Sequence, residues 1–157
     1  MAVTITHITY REITAHAAEA FPNECCGFIV RRAGRQEVVP VSNVQDRLHA
    51  LDPQQYPRTA TTAYSMGKEQ LPVIRGHEHG ELAIEAVYHS HPQHDAYFSD
   101  EDRKNAAPGG EPTYPQAGQI VISVYGGEVK AVKAFGWDDQ RRDFPEVELR
   151  VTDGAQR

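Results

Sequence analysis

Residues 82–102, LAIEAVYHSHPQHDAYFSDED, decide how the whole chain is read. Leu82 to Tyr88 is apolar except for Glu85, a run of strand length. His89 and His91 follow at i and i+2 on the end of that strand, so their side chains point to one face. Two imidazoles placed this way can converge on one metal ion, at about 2.0–2.1 Å each for zinc. Pro92 opens a loop over 92–98 and is expected to keep it out of the sheet's ladder. A helix is expected from Ser99 to just before Pro108-Gly109-Gly110. Asp102 falls in its first turn, just beyond the strand end, where it can supply a third ligand. Two histidines, one carboxylate and an open position for water form a standard catalytic zinc set.

Hydrolysis at such a centre also needs a proton carrier and a donor for the developing oxyanion. Glu24 is the candidate general acid/base, at the junction between a first helix and a strand beginning with Cys25-Cys26-Gly27. Ser99 is the candidate oxyanion donor. Taken singly, these features have ordinary explanations. His-x-His pairs occur in strands that bind no metal, Ser-x-x-Asp caps helices, and Glu24 can be a surface carboxylate. Their order and spacing together set them apart.

Working outward, residues 3–8 alternate apolar and polar as a short strand. Thr9 and Glu12 have the spacing of a capping box, with Ile13, Ala17, Ala20 and Phe21 at helical spacing up to Pro22-Asn23. Cys25–Arg31 and Glu37–Val41 read as a hairpin around Ala33-Gly34-Arg35. Gly27 would permit close backbone approach. Residues 42–62, with Pro53 and Pro57, look like a long excursion with at most short structure; a short strand and a helix are expected within 64–80. Gln119–Tyr125 and Glu128–Phe135 form a second hairpin around Gly126-Gly127, and Glu146–Val151 reads as a last edge strand. Alternating helices and strands with two hairpin connections imply an α/β protein built on a mixed sheet with helices packed on it. Residues 1–151 are expected to form one domain, with 152–157 as a frayed tail.

The joint pattern is Glu24, then His89-Ser90-His91, seven residues beginning with Pro92, then Ser99-x-x-Asp102. It resembles the signature of the JAMM (MPN+) zinc metallopeptidases, whose fixed positions it meets. The Pro22-Asn23-Glu24-Cys25-Cys26-Gly27-Phe28 opening and the closing hairpin are also similar to small stand-alone prokaryotic members, so the likeness spans roughly residues 5–136. It implies a curved mixed sheet flanked by helices, distantly similar to cytidine deaminases. It implies one Zn2+ per chain on His89, His91 and Asp102, Glu24 as general acid/base, Ser99 as oxyanion stabiliser, and Ser90 as a structural residue on the opposite face. The expected reaction is hydrolysis of a peptide or isopeptide bond after the C-terminal Gly-Gly of a ubiquitin-like, sulfur-carrier protein. A non-catalytic MPN scaffold and a phage-tail-type peptidase are the alternative readings. The deaminase motif itself is incomplete: His79-Gly80-Glu81 matches His-x-Glu, but no Pro-Cys-x-x-Cys follows.

A net charge of −6 argues against a nucleic-acid or anionic-membrane surface. No apolar run approaches the roughly 20 residues of a membrane span. Met1–Tyr10 lacks the pattern of a secretory signal, so a cytoplasmic location is expected. Adjacent Cys25 and Cys26 form no disulfide framework and read as small buried hydrophobes. The pattern leaves oligomeric state open. His77 and His79 read as an exposed loop, and His94 and Asp95 as solvated loop residues. Tyr97 and Phe98 are expected to anchor their loop in the core, and Trp137 to pack near the C-terminal hairpin. The pairs Arg31-Arg32 and Arg141-Arg142 read as solvated positions.

Overall fold

The computed structural model describes residues 1–153. In chain order the elements are β1 (Ala2–Thr6), α1 (His7–Ala20), β2 (Cys26–Arg32), β3 (Arg35–Val41), α2 (Gln45–Leu51), α3 (Gln70–Glu78), β4 (Ala83–Pro92), α4 (Asp100–Ala106), a 3-10 turn (Pro108–Gly110), β5 (Gly118–Tyr125), β6 (Glu128–Phe135) and β7 (Glu146–Thr152). The strands form one sheet in the order β1-β7-β6-β5-β4-β2-β3. Pairs β1–β7 and β4–β5 are parallel and the rest antiparallel, the mixed sheet expected of an α/β chain. The sheet is curled enough to bring its edges together: Gln36 on β3 accepts from the Thr6 N–H at 2.9 Å and donates to the Thr4 carbonyl at 3.2 Å on β1.

β5 is the central strand, and Ile120, Val121, Ile122 and Val124 are all fully buried. Both its faces are covered, so an unbroken apolar run suits it. On one face α1 packs Ile13 and Ala17 against Ile29, Tyr88, Ile120 and Ile122. On the other, Phe28, Val30 and Val87 pack with Val73 of α3, and Phe98, Phe135 and Phe144 form a neighbouring cluster. A bulge in β4 lies where Ile29 pairs with Ala86 but Val30 pairs with Ile84. The extra residue, Glu85, puts Ile84 on the same face as Val87, and His89 and His91 follow Val87 onto it by strand alternation.

The helix begins three residues before the expected capping box. Thr6 is its N-cap, accepting from the Thr9 N–H at 3.0 Å, while Thr9 lies buried inside the helix. Pro92 does not leave the ladder; it is the last residue of β4 and pairs with Val124. Ser90 donates toward β2 and Gln93 toward β5, so strand alternation places the Pro92 nitrogen on the β2 side, past the end of that strand. Glu146–Thr152 is not an edge strand, because β1 pairs outside it. Thr152, placed in the tail by the sequence, ends that strand, and residues 154–157 of the expected tail lie outside the described residues. Within the excursion, α2 was not anticipated. In place of a strand near Tyr64, a single bridge joins Asn43 to Met66. Among the described residues no helix is long and apolar enough to cross a membrane.

Candidate metal centre

His89 and His91 sit at the carboxyl end of β4, and Asp102 lies in the first turn of α4, which Ser99 caps. The cap is reciprocal: Ser99 Oγ accepts from the Asp102 N–H and the Ser99 N–H donates to Asp102 Oδ2, both at 3.0 Å. This fixes the carboxylate facing the imidazoles. His89 Nε2 stands 3.2 Å from His91 Nε2 and 3.1 Å from Asp102 Oδ1, and His91 Nε2 stands 3.2 Å from Asp102 Oδ2. All three residues are buried.

The arrangement fits a metal ion. Tetrahedral ligands at about 2.0–2.1 Å from zinc stand roughly 3.3 Å from one another, close to the observed spacings. His91 Nδ1 lies 2.9 Å from the Asp95 carbonyl, which fixes its proton there and leaves the Nε2 lone pair for the cluster. Burial alone would push the Asp102 carboxyl up; the facing His89 and His91 imidazoles and the Ser99 N–H hold it well below the usual carboxylate range. Burial lowers the His91 imidazole, but the Asp102 carboxylate and the Asp95 carbonyl outweigh it and raise it above its ordinary value.

Glu24 comes to the same place from the other side. It lies just before β2, 7 % exposed, in a cleft of about 590 Å³ whose lining also includes His91, Ser99, Asp102, Arg58 and Tyr64. Burial raises its carboxyl from 4.5 to about 7, partly offset by His89 and His91. Its neighbour Cys25 donates its N–H to Ser90 Oγ at 2.8 Å, so the serine between the two histidines ties their strand to the Glu24 segment. Ser99 Oγ uses a lone pair on its helix, which leaves the hydroxyl hydrogen free to donate into the cleft. Thus all five singled-out residues meet at one end of the sheet. A larger groove, about 1510 Å³, runs between β1 and β3; its lining holds no histidine or cysteine and no cluster of metal ligands among the described residues.

Two tyrosines flank the histidines. The Tyr64 ring lies 4.9 Å from His89, and burial raises its hydroxyl well above the ordinary range. Tyr97, expected in the core, is 51 % exposed with its ring edge-on to His91 at 5.1 Å; Phe98, on Phe135 and Phe144, anchors the loop together with the buried Ala96. No sequence signal marked Tyr64, because the segment carrying it has no periodicity. His77 is not in an exposed loop: it sits on α3, half-buried, and its Nδ1 accepts from the Ile84 N–H at 3.2 Å. His79, just past the helix, is exposed, as are His94 and Asp95. Cys25 and Cys26 are buried free thiols on opposite faces of the sheet, and burial pushes Cys25 up to about 12, which leaves it unreactive. Trp137 packs on Phe144 under Arg142.

A curled mixed sheet with two histidines and an aspartate converging at the end of an inner strand defines an α/β protein with a candidate single-metal centre. The chain belongs to the JAB domain family: the model for prokaryotic homologs of the JAB domain matches residues 6–141. The fold is similar to the solution structure of a Desulfitobacterium hafniense protein, with TM-score 0.67 and 25 % identity over 98 % of this chain and 94 % of that one. A Salinibacter ruber solution structure gives TM-score 0.62 at 23 % identity, covering 99 % and 94 %. The crystal structure of a JAB1/MPN domain protein from Archaeoglobus fulgidus gives 0.56 at 15 % identity, covering 96 % and 98 %. No curated protein matches the chain. The JAMM/MPN resemblance read from the sequence is thereby borne out, together with its fold.

Proposed function

We propose that the protein is a zinc metallopeptidase that hydrolyses the bond after the C-terminal Gly-Gly of a ubiquitin-like carrier protein. The observation that carries this reading is the placement of Glu24: a buried carboxyl, raised to about 7, in the same cleft as the His89-His91-Asp102 cluster. A scaffold has no use for a proton acceptor held at that spot. Zinc on these three ligands would supply Lewis-acid polarisation of the scissile carbonyl and acidify a water molecule. Glu24 takes the proton from the attacking water and returns it to the leaving amine, a task suited to a carboxyl held in the same cleft as the metal ligands. Ser99 donates its free hydroxyl hydrogen to the carbonyl oxygen as it becomes an oxyanion. The Asp95 carbonyl and the Ser99 N–H hold His91 and Asp102 in orientation. The Gly-Gly preference and the carrier protein come from the family resemblance, and a side-chain-free tail suits a cleft flanked by Tyr64 and Tyr97.

The test is Glu24→Gln, assayed on a ubiquitin-like protein extended beyond its Gly-Gly. Zinc should stay at one per chain by elemental analysis while cleavage falls to background. Cleavage at the wild-type rate would remove Glu24 from the mechanism, and a wild-type protein that binds zinc but cleaves no Gly-Gly substrate would sink the proposed reaction.

A further inference from the structure

Glu24 lies outside β2, so the regular ladder does not hold it. Its main chain is fixed by the excursion instead: the Glu24 N–H donates to the Ala60 carbonyl at 2.8 Å, and the Glu24 carbonyl accepts from Asn43 Nδ2 at 2.9 Å. Asn43 makes three more hydrogen bonds. Its Nδ2 donates to the Ala63 carbonyl at 3.1 Å, and its Oδ1 accepts from the Gln45 N–H at 3.0 Å and the Ser65 N–H at 3.1 Å. Both donors and both lone pairs of the amide are used. Ala63 and Ser65 flank Tyr64, whose ring lies against His89. One amide therefore joins the Glu24 backbone to the wall that packs on a metal-type ligand.

We propose that Asn43 is a positioning residue, fixing Glu24 and the Tyr64 wall relative to the His89-His91-Asp102 cluster so that the carboxyl meets its proton donor. The inference rests on the reading of Glu24 as proton carrier. It also gives the 42–67 segment a role: the segment closes on itself through the Val44 N–H to Ser65 carbonyl bond and the Gly67 N–H to Ser42 carbonyl bond, and clamps the Glu24 main chain from outside the sheet. Asp46 supports the same clamp, accepting from the Ala60 N–H at 2.7 Å.

The deciding variant is Asn43→Asp, nearly isosteric, which keeps the acceptor but turns an oxygen toward the Glu24 and Ala63 carbonyls. On the extended ubiquitin-like substrate, kcat should fall about 10–100-fold, the range for a misplaced or unsupported catalytic group. KM should stay within about threefold, because the contribution lost is one made only in the transition state, and zinc should stay at one per chain. Independently of activity, the nuclear Overhauser contact between the Tyr64 and His89 rings in the metal-free protein should weaken or vanish. Should Asn43→Asp fold poorly, the exposed Asp46→Ala variant loosens the same clamp, with a smaller loss of kcat expected. Wild-type kcat with the Tyr64–His89 contact intact in a folded Asn43→Asp would overturn the proposal. So would loss of zinc along with activity, since that would place the effect at the metal ligands. If the wild type cleaves nothing, the proposed reaction fails, while the ring contact still decides the positioning role.

Discussion

Glu24 is an expensive residue for the fold. Its carboxyl titrates at about 7 when folded and near 4.5 when exposed, because burial disfavours the charged form. Below about pH 4.5 it is neutral in both states and has no effect on stability. As pH rises the unfolded chain ionises first, so the folded state loses stability up to about pH 7, and the loss is complete above that. The shift corresponds to roughly 3–4 kcal/mol in metal-free protein. Glu24→Gln, neutral at every pH, should therefore raise the urea midpoint of chelated protein at pH 8 and leave it unchanged at pH 4.5. An equal effect at both pH values would mean that the carboxylate carries no such strain. The pattern matches a residue kept for chemistry at a cost to stability.

At the level of elements, Ser99 serves two ends, and one substitution separates them. As the α4 N-cap it accepts from the Asp102 N–H; as a free hydroxyl it faces the cleft. Glycine is a tolerated N-cap, so Ser99→Gly should cost only a few tenths of a kcal/mol in thermal or urea melts. Its kcat should nevertheless fall about 10²–10³-fold, as for loss of an oxyanion donor. A Ser99→Gly enzyme with wild-type kcat would leave Ser99 as a cap and nothing more. The ligand strand and helix were legible in the sequence because local rules govern both: strand alternation sets His89 and His91 on one face, and capping chemistry sets Ser99 and Asp102. The Glu85 bulge was not legible, since the parity switch depends on how β4 registers against β2. Nor was the role of Asn43, whose hydrogen bonds to residues 24 and 63 reach 19 and 20 positions along the chain. For the same reason β1 could not be placed outside β7, a parallel pairing between the two ends of the described chain.

Across the whole molecule, the three apolar clusters hold the sheet together without drawing on the candidate metal ligands. The core on the α1 face, from Ile13 through Tyr88 to Val124, lies on the opposite side of the sheet from the ligands, and on their own side His89 packs on Tyr64 at the border of the Phe28-Val30-Val87 cluster. Two of the ligands are held by hydrogen bonds from the ordered backbone, Asp95 to His91 and Ser99 to Asp102. Such a centre differs from a zinc finger, where binding the metal and folding are one event. Metal-free protein should therefore keep its secondary structure, with an unchanged far-UV circular dichroism spectrum after chelation. Zinc should still raise Tm in a concentration-dependent way, because it binds the folded chain alone. The gain should shrink as pH falls, since in the metal-free protein His91 holds its proton above its ordinary value and that proton competes with the ion. His89→Ala should abolish the zinc-dependent rise in Tm while leaving a folded protein. Collapse of the secondary structure on chelation would mean that the metal, rather than the three apolar clusters, holds the sheet together.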